Sequence, residues 1–252
     1  MKEQNFVDRI QTSMRKHSSR IVLALDIVDD EKSKLLERVL SIMRRLSPYI
    51  ATVKLNYHLL LPLNFKEIKK IVNLAHDHDL QVIADLKLND IASTNLIVSD
   101  YLWRADFDAV IANPFVGYEG GLEPMIKRAH EMRKGVILLV YMSHKGAREG
   151  YDLTILNEYD EKKKLYELFI QKAKRWHADG IVVGGTNLRI LSSISSRTKG
   201  KLLIFSPGVG AQGGNAVKAV RSGADFIVIG RSILFSEDSV SAAVKINKDT
   251  FY

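Results

Sequence analysis

The chain has 252 residues, 46% hydrophobic and 26% charged, and proportions this close to the globular average exclude a mainly disordered, collagen-like or coiled-coil polypeptide. No cysteine is present, which excludes disulfides, thiolate metal sites and cysteine nucleophiles, and no apolar run approaches the roughly 18–20 residues that span a bilayer. Lys and Arg number 37 against 29 Asp and Glu, a net charge of +8; spread over helical stretches rather than clustered among aromatics, this excess argues against nucleic acid and fits a solvated basic surface or a small anionic substrate.

From the N-terminus, Phe6, Val7, Ile10 and Met14 recur at helical spacing and predict an amphipathic leading helix within residues 1–20. Arg9, Arg15, Lys16 and Arg20 invite comparison with a targeting peptide, but Glu3 and Asp8 interrupt the basic run. Neither an apolar core nor a small-residue cleavage site follows, so a cytoplasmic protein is expected, with no membrane partner. Short β-branched apolar runs then alternate with amphipathic stretches. Strands are predicted at 21–27, 52–56, 81–87, 109–114, 135–141, 180–186, 202–208 and 226–232, and helices at, among others, 30–46, 64–78 and 159–177. Nearly continuous apolar strands between helices argue for a parallel sheet covered on its outer face. Eight βα units in a chain of about 250 residues argue for closure into a (β/α)8 TIM barrel; a doubly wound open sheet is the alternative. With no linker rich in Pro, Gly or Ser, one α/β domain is expected over 1–252, the leading helix in 1–20 and the barrel in 21–249.

Active sites of such barrels lie at the C-terminal ends of the strands, and several strands here end in residues a packed core does not choose. Asp26 closes the first, Lys54 lies in the second, and Asp85 and Lys87 end the third. The strand pleat alternates with period two, so Gln81, Ile83, Asp85 and Lys87 form one row and Val82, Ala84 and Leu86 the other. The apolar row suits the covering helices, which turns the charged row to the barrel axis. Buried charges are costly unless paired, and two cations with two anions pair in alternation. Such a network either merely closes the barrel or does chemistry: a lysine held between carboxylates stays protonated and suits a general acid. Asp90 and Thr94 follow at the start of the next helix, where Asp90 also suits the helix dipole.

The run Asp85-Leu86-Lys87-Leu88-Asn89-Asp90-Ile91 fits the pattern DxKxxD, and Lys54 stands in Val53-Lys54-Leu55-Asn56. Leu23-Ala24-Leu25-Asp26, Met142-Ser143-His144, the glycine-rich run from Ser206 to Gly214 and Ile229-Gly230-Arg231-Ser232 follow on the expected strands. This ordered set, over about residues 21–232, resembles the orotidine 5'-monophosphate decarboxylase suprafamily. The resemblance implies decarboxylation of orotidine 5'-monophosphate to uridine 5'-monophosphate in pyrimidine synthesis, with no metal and no organic cofactor. It implies that Lys87 protonates a C6 carbanion, that Asp85 sits against the substrate carboxylate, and that Lys54 and Asp90 complete the charged array. Lys54 and Asp26 would also hold ribose hydroxyls, and Ser143 the pyrimidine. Gln212 would bridge base and phosphate, and Gly230 with Arg231 would bind phosphate. Ile91, Thr186, Pro207, Gly208, Val209, Gly210, Ala211, Gly213 and Gly214 complete the implied substrate contacts. The equivalents of Asp90 and Thr94 reach a neighbouring subunit's site in the family, which implies a homodimer. Suprafamily members acting on keto-sugar phosphates share DxKxxD but use Mg²⁺ and generally carry glutamate in place of Lys54.

Physical chemistry supports the implied reaction independently. Loss of CO₂ from an sp² carbon leaves an electron pair without a conjugated sink, and a preorganised ammonium stabilises it electrostatically. Repulsion between Asp85 and the departing carboxylate would add ground-state stress, and binding of a distant phosphate can hold the base in register.

Gly208-Val209-Gly210-Ala211-Gln212-Gly213 also satisfies GxGxxG, the dinucleotide fingerprint. It follows the seventh strand rather than the first, and the next strand ends in Arg231; a monophosphate held by backbone amides, a helix N-terminus and Arg231 explains the same residues. His76 and His78 flank Asp77 at a predicted helix end and read as a solvated C-terminus rather than a metal site. His144 is a candidate at the barrel mouth, whereas Trp103 and Trp176 read as packing. Residues 143–158 form a long connection, either a mobile lid or surface decoration. Gly184-Gly185-Thr186 departs from the family's usual proline before a hydroxyl residue, which leaves a Thr186 contact to the base open.

Overall fold

The computed structural model of the chain describes residues 4–29, 31–156, 161–198 and 200–251. Its core strands are β1 (Ile21–Ala24), β2 (Thr52–Asn56), β3 (Gln81–Leu88), β4 (Ala109–Ala112), β5 (Gly135–Tyr141), β6 (Gly180–Val183), β7 (Leu203–Pro207) and β8 (Phe226–Ile229). All neighbouring pairs are parallel, and β8 returns to β1 through Ile21 opposite Ile227 and Leu23 opposite Ile229. That closure makes the fold a (β/α)8 barrel and disposes of the open-sheet alternative.

Alternation along the strands sorts apolar side chains into two layers. Leu23, Val53, Val82, Val110 and Val136 face outward, where Leu35, Val39 and Met43 of the helix Lys32–Leu46 and Ile71 and Val72 of the helix Phe65–Asp77 cover them. Val22, Ile83, Ile111, Ile137, Leu139, Val182, Phe205 and Phe226 fill the barrel. Helix Phe65–Asp77 starts where the sequence expects, in a reciprocal cap: Asn64 accepts from the Glu67 N–H at 3.0 Å and Glu67 from the Asn64 N–H at 2.7 Å.

The leading helix, Phe6–Lys16, begins at Asn5, whose side chain accepts from the Asp8 N–H at 2.9 Å. Its predicted apolar face is the one it buries. Phe6 and Ile10 are wholly enclosed in the barrel's inner layer, with Val7 and Met14 packed beside them. Gly135 opens β5 under the Phe6 ring, where a Cβ would lie 2.2 Å from a ring carbon. The helix thus plugs the N-terminal end of the barrel and leaves the opposite end as the mouth.

Three aspartates staple that plugged end. Asp108, Asp179 and Asp225 immediately precede β4, β6 and β8, and their carboxylates accept from the backbone N–H of Val82 at 2.9 Å, Val136 at 2.8 Å and Ile204 at 2.8 Å. His76 Nε2 lies 2.9 Å from Asp108 and His130 Nε2 lies 3.4 Å from Asp179. Burial pushes the Asp108 carboxyl up, but the His76 hydrogen bond and nearby cations outweigh it and hold the group below its ordinary range. The Asp179 contact raises His130 against the opposing effect of burial. Asp225 is raised because burial exceeds the help of the Ile204 amide and Arg20. His76 is therefore tied to a buried carboxylate, not merely solvated at a helix end as the sequence suggests.

Other boundaries differ from expectation for identifiable reasons. The predicted strands 21–27, 109–114, 180–186 and 226–232 stop at Ala24, Ala112, Val183 and Ile229, where the chain leaves the ladder to build loops at the mouth. The predicted helix 159–177 is shorter, Leu165–Arg175, because Lys162–Lys164 pairs antiparallel with Thr154–Leu156. Lys164 Nζ secures this hairpin through the Asp152 carbonyl at 2.7 Å and Thr154 Oγ1 at 3.0 Å. The long connection after β5 also contains the helix Ala147–Tyr151, anchored where the Tyr141 hydroxyl donates to Asp152 at 3.2 Å. Burial and Asp152 push the Tyr141 hydroxyl up to about 12. The parts of these predictions on Asp30 and residues 157–160 lie outside the described residues. Trp103 and Trp176 are buried packing residues, as expected. No helix among the described residues is long and apolar enough to cross a membrane.

Candidate active site

At the mouth, four charges from three adjacent strands alternate in sign. Lys54 Nζ lies 3.3 Å from Asp26 and 2.7 Å from Asp85, whose other oxygen lies 2.5 Å from Lys87 Nζ. The inner pair is enclosed, the Lys54 and Asp85 side chains being 8% and 10% exposed, whereas Asp26 and Lys87 at the ends are each 38% exposed. Burial pushes the Asp85 carboxyl up, but the two lysines outweigh it and hold the carboxyl below its ordinary range. Asp85 is thus an anion aimed at the mouth, and Lys87 presents a paired but reachable ammonium.

Asp85 faces inward by the expected alternation, but Lys87 does not reach it that way. Between Ala84 opposite Val110 and Leu88 opposite Ala112 the register of β3 slips, setting Asp85, Leu86 and Lys87 against one residue of β4. Lys87 takes a φ of +47°, in the left-handed region. For a non-glycine residue that costs roughly 1–2 kcal/mol, and such bulges re-aim side chains beside active sites. The bulge, not the pleat, brings Lys87 back to Asp85.

Opposite the charges lies a cavity of about 390 Å³. Asp26, Lys54, Asp85 and Lys87 line one side, and Ser143, Pro207, Gly208, Val209, Ala211, Gln212, Gly230 and Arg231 the other. Ser143 donates to Gln212 Oε1 at 2.7 Å, and Thr186 donates to the Ser143 carbonyl at 2.9 Å. Thr186 thereby braces the wall from behind. Gly208 sits at φ +90°, and a Cβ there would lie 2.6 Å from Ser143 Cβ, so only glycine allows this approach. The loop then folds on itself: the Gly210 N–H donates to Gly214 at 2.8 Å, that of Gly213 to Gly210 at 2.7 Å and that of Gly214 to Gly208 at 3.0 Å. The amides of Gly210, Gly213 and Gly214 are spent inside the turn, and these residues do not line the cavity. Ser232 accepts from the Ala211 N–H at 2.9 Å and ties this turn to the end of β8. Among the described residues no carboxylate pairs with Arg231, which leaves its guanidinium for an anion at this end.

Asp90, Ile91 and Thr94 lie outside this cavity and are exposed. Asp90 accepts from the Ile91 N–H at 2.7 Å, and Asn95 Nδ2 donates to its carbonyl. Several lining residues escape the sequence reading. Asn56, two residues beyond Lys54 on the same face of β2, is legible from strand alternation, as is the apolar floor of Ile111, Leu139, Val182 and Val228. His144, a candidate at the mouth from the sequence, does line the cavity. Among the described residues no three His, Asp or Glu side chains gather to hold a metal ion.

A sequence profile described as the orotidine 5'-phosphate decarboxylase / HUMPS family matches residues 19–246. The chain belongs to this family. Among relatives, the orotidine 5'-phosphate decarboxylase of Pyrococcus abyssi is 34% identical over 226 residues, 90% of this chain and 96% of that protein. The crystal structure of the Pyrococcus horikoshii enzyme superimposes with a TM-score of 0.73 at 32% identity, covering 91% of this chain and 98% of that one. The Methanocaldococcus jannaschii enzyme, solved with the inhibitor BMP, gives 0.77 at 27% identity over 93% of this chain and 99% of that one.

Proposed function

We propose that this protein decarboxylates orotidine 5'-monophosphate to uridine 5'-monophosphate in de novo pyrimidine synthesis, as a cytoplasmic enzyme that needs neither metal nor organic cofactor. The observation that carries this reading is the alternating row Asp26–Lys54–Asp85–Lys87 facing a wall that ends in Gln212 and Arg231 across one cavity. The phosphate would bind Arg231 and the Gly230 turn, leaving the pyrimidine between Ser143 and the charged row. The substrate carboxylate then faces Asp85, held anionic by its two lysines. The bond from C6 to the carboxyl carbon breaks, CO₂ departs, and the electron pair stays on C6. The Lys87 ammonium stabilises that pair as it forms and transfers a proton to C6; solvent returns a proton to the amine. Stabilisation by a preorganised charge acts where charge develops and is the largest contribution such a site offers. Binding at the phosphate end, away from the reacting carbon, keeps the base in register.

A homodimer completes this reading. Asp90 and Thr94 are exposed and do not line their own cavity, and exposed Ile91, Ile97 and Tyr101 near them in the chain suit burial against a second copy whose site they would enter. Each subunit would be a single barrel plugged by its leading helix, and the catalytic unit the dimer with two shared sites.

Keto-sugar phosphate chemistry is the family's other branch. Lys54 argues against it here, because an ammonium paired with both Asp26 and Asp85 occupies the carboxylates a divalent cation would need. Carboxyl-labelled orotidine 5'-monophosphate tests the proposal: the account expects labelled CO₂ and uridine 5'-monophosphate in equal amounts. Turnover only of keto-sugar phosphates with added Mg²⁺ would overturn it. Shared sites are tested by mixing inactive Asp90→Ala and Lys87→Ala proteins, which should restore activity once subunits exchange; a mixture that stays inactive after proven exchange contradicts them.

A further inference from the structure

The Tyr57 hydroxyl donates a 2.7 Å hydrogen bond to the carbonyl of Leu86, the residue between Asp85 and Lys87. That carbonyl lies where β3 has left its ladders: the last pair with β2 is Asn56 opposite Asp85, and pairing with β4 skips from Ala84 to Leu88. Tyr57 supplies a hydrogen bond in place of a strand neighbour. The bonded oxygen belongs to the Leu86–Lys87 peptide plane, and the φ of Lys87, +47°, is the rotation away from that plane. Fixing the oxygen therefore fixes the plane from which the Lys87 side chain departs. On its other side the chain rejoins β4 at once, with Leu88 opposite Ala112 and the Asn113 N–H donating to the Leu88 carbonyl at 2.8 Å, so Lys87 is held in its left-handed conformation from both sides, as such a conformation requires.

Tyr57 is itself well placed to hold on. It begins the one-turn helix Tyr57–Leu60, capped by Asn56, whose side chain accepts from the His58 N–H at 3.0 Å. Its ring lines an apolar cleft with Leu86, Val98 and Tyr101. Partial burial and the Asp85 charge push the phenol up, so the hydroxyl keeps the proton it donates. We infer that Tyr57 is a positioning residue for decarboxylation: by clamping the Leu86 carbonyl it holds the strained Lys87 backbone so that the Lys87 ammonium stays beside Asp85, aimed at the reacting carbon. The inference rests on the proton-donor role proposed above for Lys87.

Tyr57→Phe removes the hydroxyl and keeps the ring, and Tyr49→Phe removes a hydroxyl ahead of β2, at the plugged end of the barrel, as a control. Four quantities are read in each full-length variant: kcat, KM, the thermal midpoint, and amide hydrogen exchange at Lys87 and Leu88. For Tyr57→Phe the expected result is kcat lower by about tenfold, the factor that follows from one lost hydrogen bond. KM should stay within about twofold and the midpoint should fall by only about 2–4 °C, the cost of one hydrogen bond, while exchange at Lys87 and Leu88 quickens severalfold; Tyr49→Phe should match wild type. An unchanged kcat, with or without faster exchange, overturns the inference. So does a fall in kcat that comes with a matching rise in KM and a midpoint lowered by about 10 °C or more, well beyond the cost of one hydrogen bond and the mark of general loosening. Wild-type protein with no turnover of orotidine 5'-monophosphate defeats the decarboxylase reading instead, and the exchange measurement tells the two failures apart because it needs no substrate.

Discussion

Ser143 donates its hydroxyl to Gln212 Oε1 at 2.7 Å, joining the end of β5 to the glycine turn after β7 across the barrel mouth. The two side chains come from positions 69 residues apart and close the wall opposite the charged row. This link orients the Gln212 amide so that its N–H groups face away from Ser143, free to meet a ligand.

Gln212→Ala removes both that donor and the partner that fixes Ser143. Loss of one ligand hydrogen bond of about 1.4 kcal/mol corresponds to a tenfold effect, so KM should rise about tenfold with a smaller change in kcat. Steady-state kinetics checks this; an unchanged KM places the phosphate and base elsewhere. Arg231→Ala should raise KM further, because a charge-assisted bond is about twice as strong.

Lys54→Ala should hurt stability as well as activity. Lys54 is buried between Asp26 and Asp85, and removing one partner of a buried charge network costs roughly 3–5 kcal/mol. Urea unfolding measures it. Lys87→Ala, at the exposed end of the row, should lower turnover by several orders of magnitude with a near-normal unfolding midpoint. A Lys54→Ala protein as stable as wild type would contradict the geometry.

The leading helix should contribute strongly to stability despite its distance from the mouth. Phe6 is wholly buried among barrel side chains and covers Gly135, so Phe6→Ala should cost about 3–5 kcal/mol. Chemical denaturation checks this, and kcat of the folded fraction should be preserved.

Two stapling pairs predict opposite pH dependences. The folded-state value of Asp108 is depressed, so its contribution is present above the unfolded value of about 3.9 and fades as pH falls through the lower folded value. The His130 value is raised, so its contribution is complete below about 6.5 and fades as pH climbs through the higher folded value. The stability gap between wild type and Asp108→Asn should therefore shrink on acidification. That between wild type and His130→Gln should shrink on alkalinisation. Gaps constant with pH would contradict both pairs.

The barrel is legible in the sequence because buried parallel strands are written as short apolar runs, and the face of the leading helix because Phe6, Ile10 and Met14 repeat at helical spacing. The charged row is legible because Asp26, Lys54 and Asp85 interrupt strand ends that packing alone would keep apolar. Other features depend on contacts distant in sequence. Nothing local to Asp85-Leu86-Lys87 announces a bulge or a left-handed lysine, since neither glycine nor asparagine marks it. The role of Asp108 emerges only when the fold brings His76 and Val82 to it. The hairpin of Thr154–Leu156 with Lys162–Lys164 is hidden because three consecutive lysines carry no strand pattern.

The central claim is that the Asp85–Lys87 pair decarboxylates orotidine 5'-monophosphate unaided by metal. It is tested most directly by following the ultraviolet absorbance of that substrate with wild-type and Lys87→Ala protein in EDTA. The account predicts rapid loss of absorbance with wild type and a rate lower by several orders of magnitude with Lys87→Ala. No loss with folded wild-type protein, or equal loss with both proteins, would contradict it.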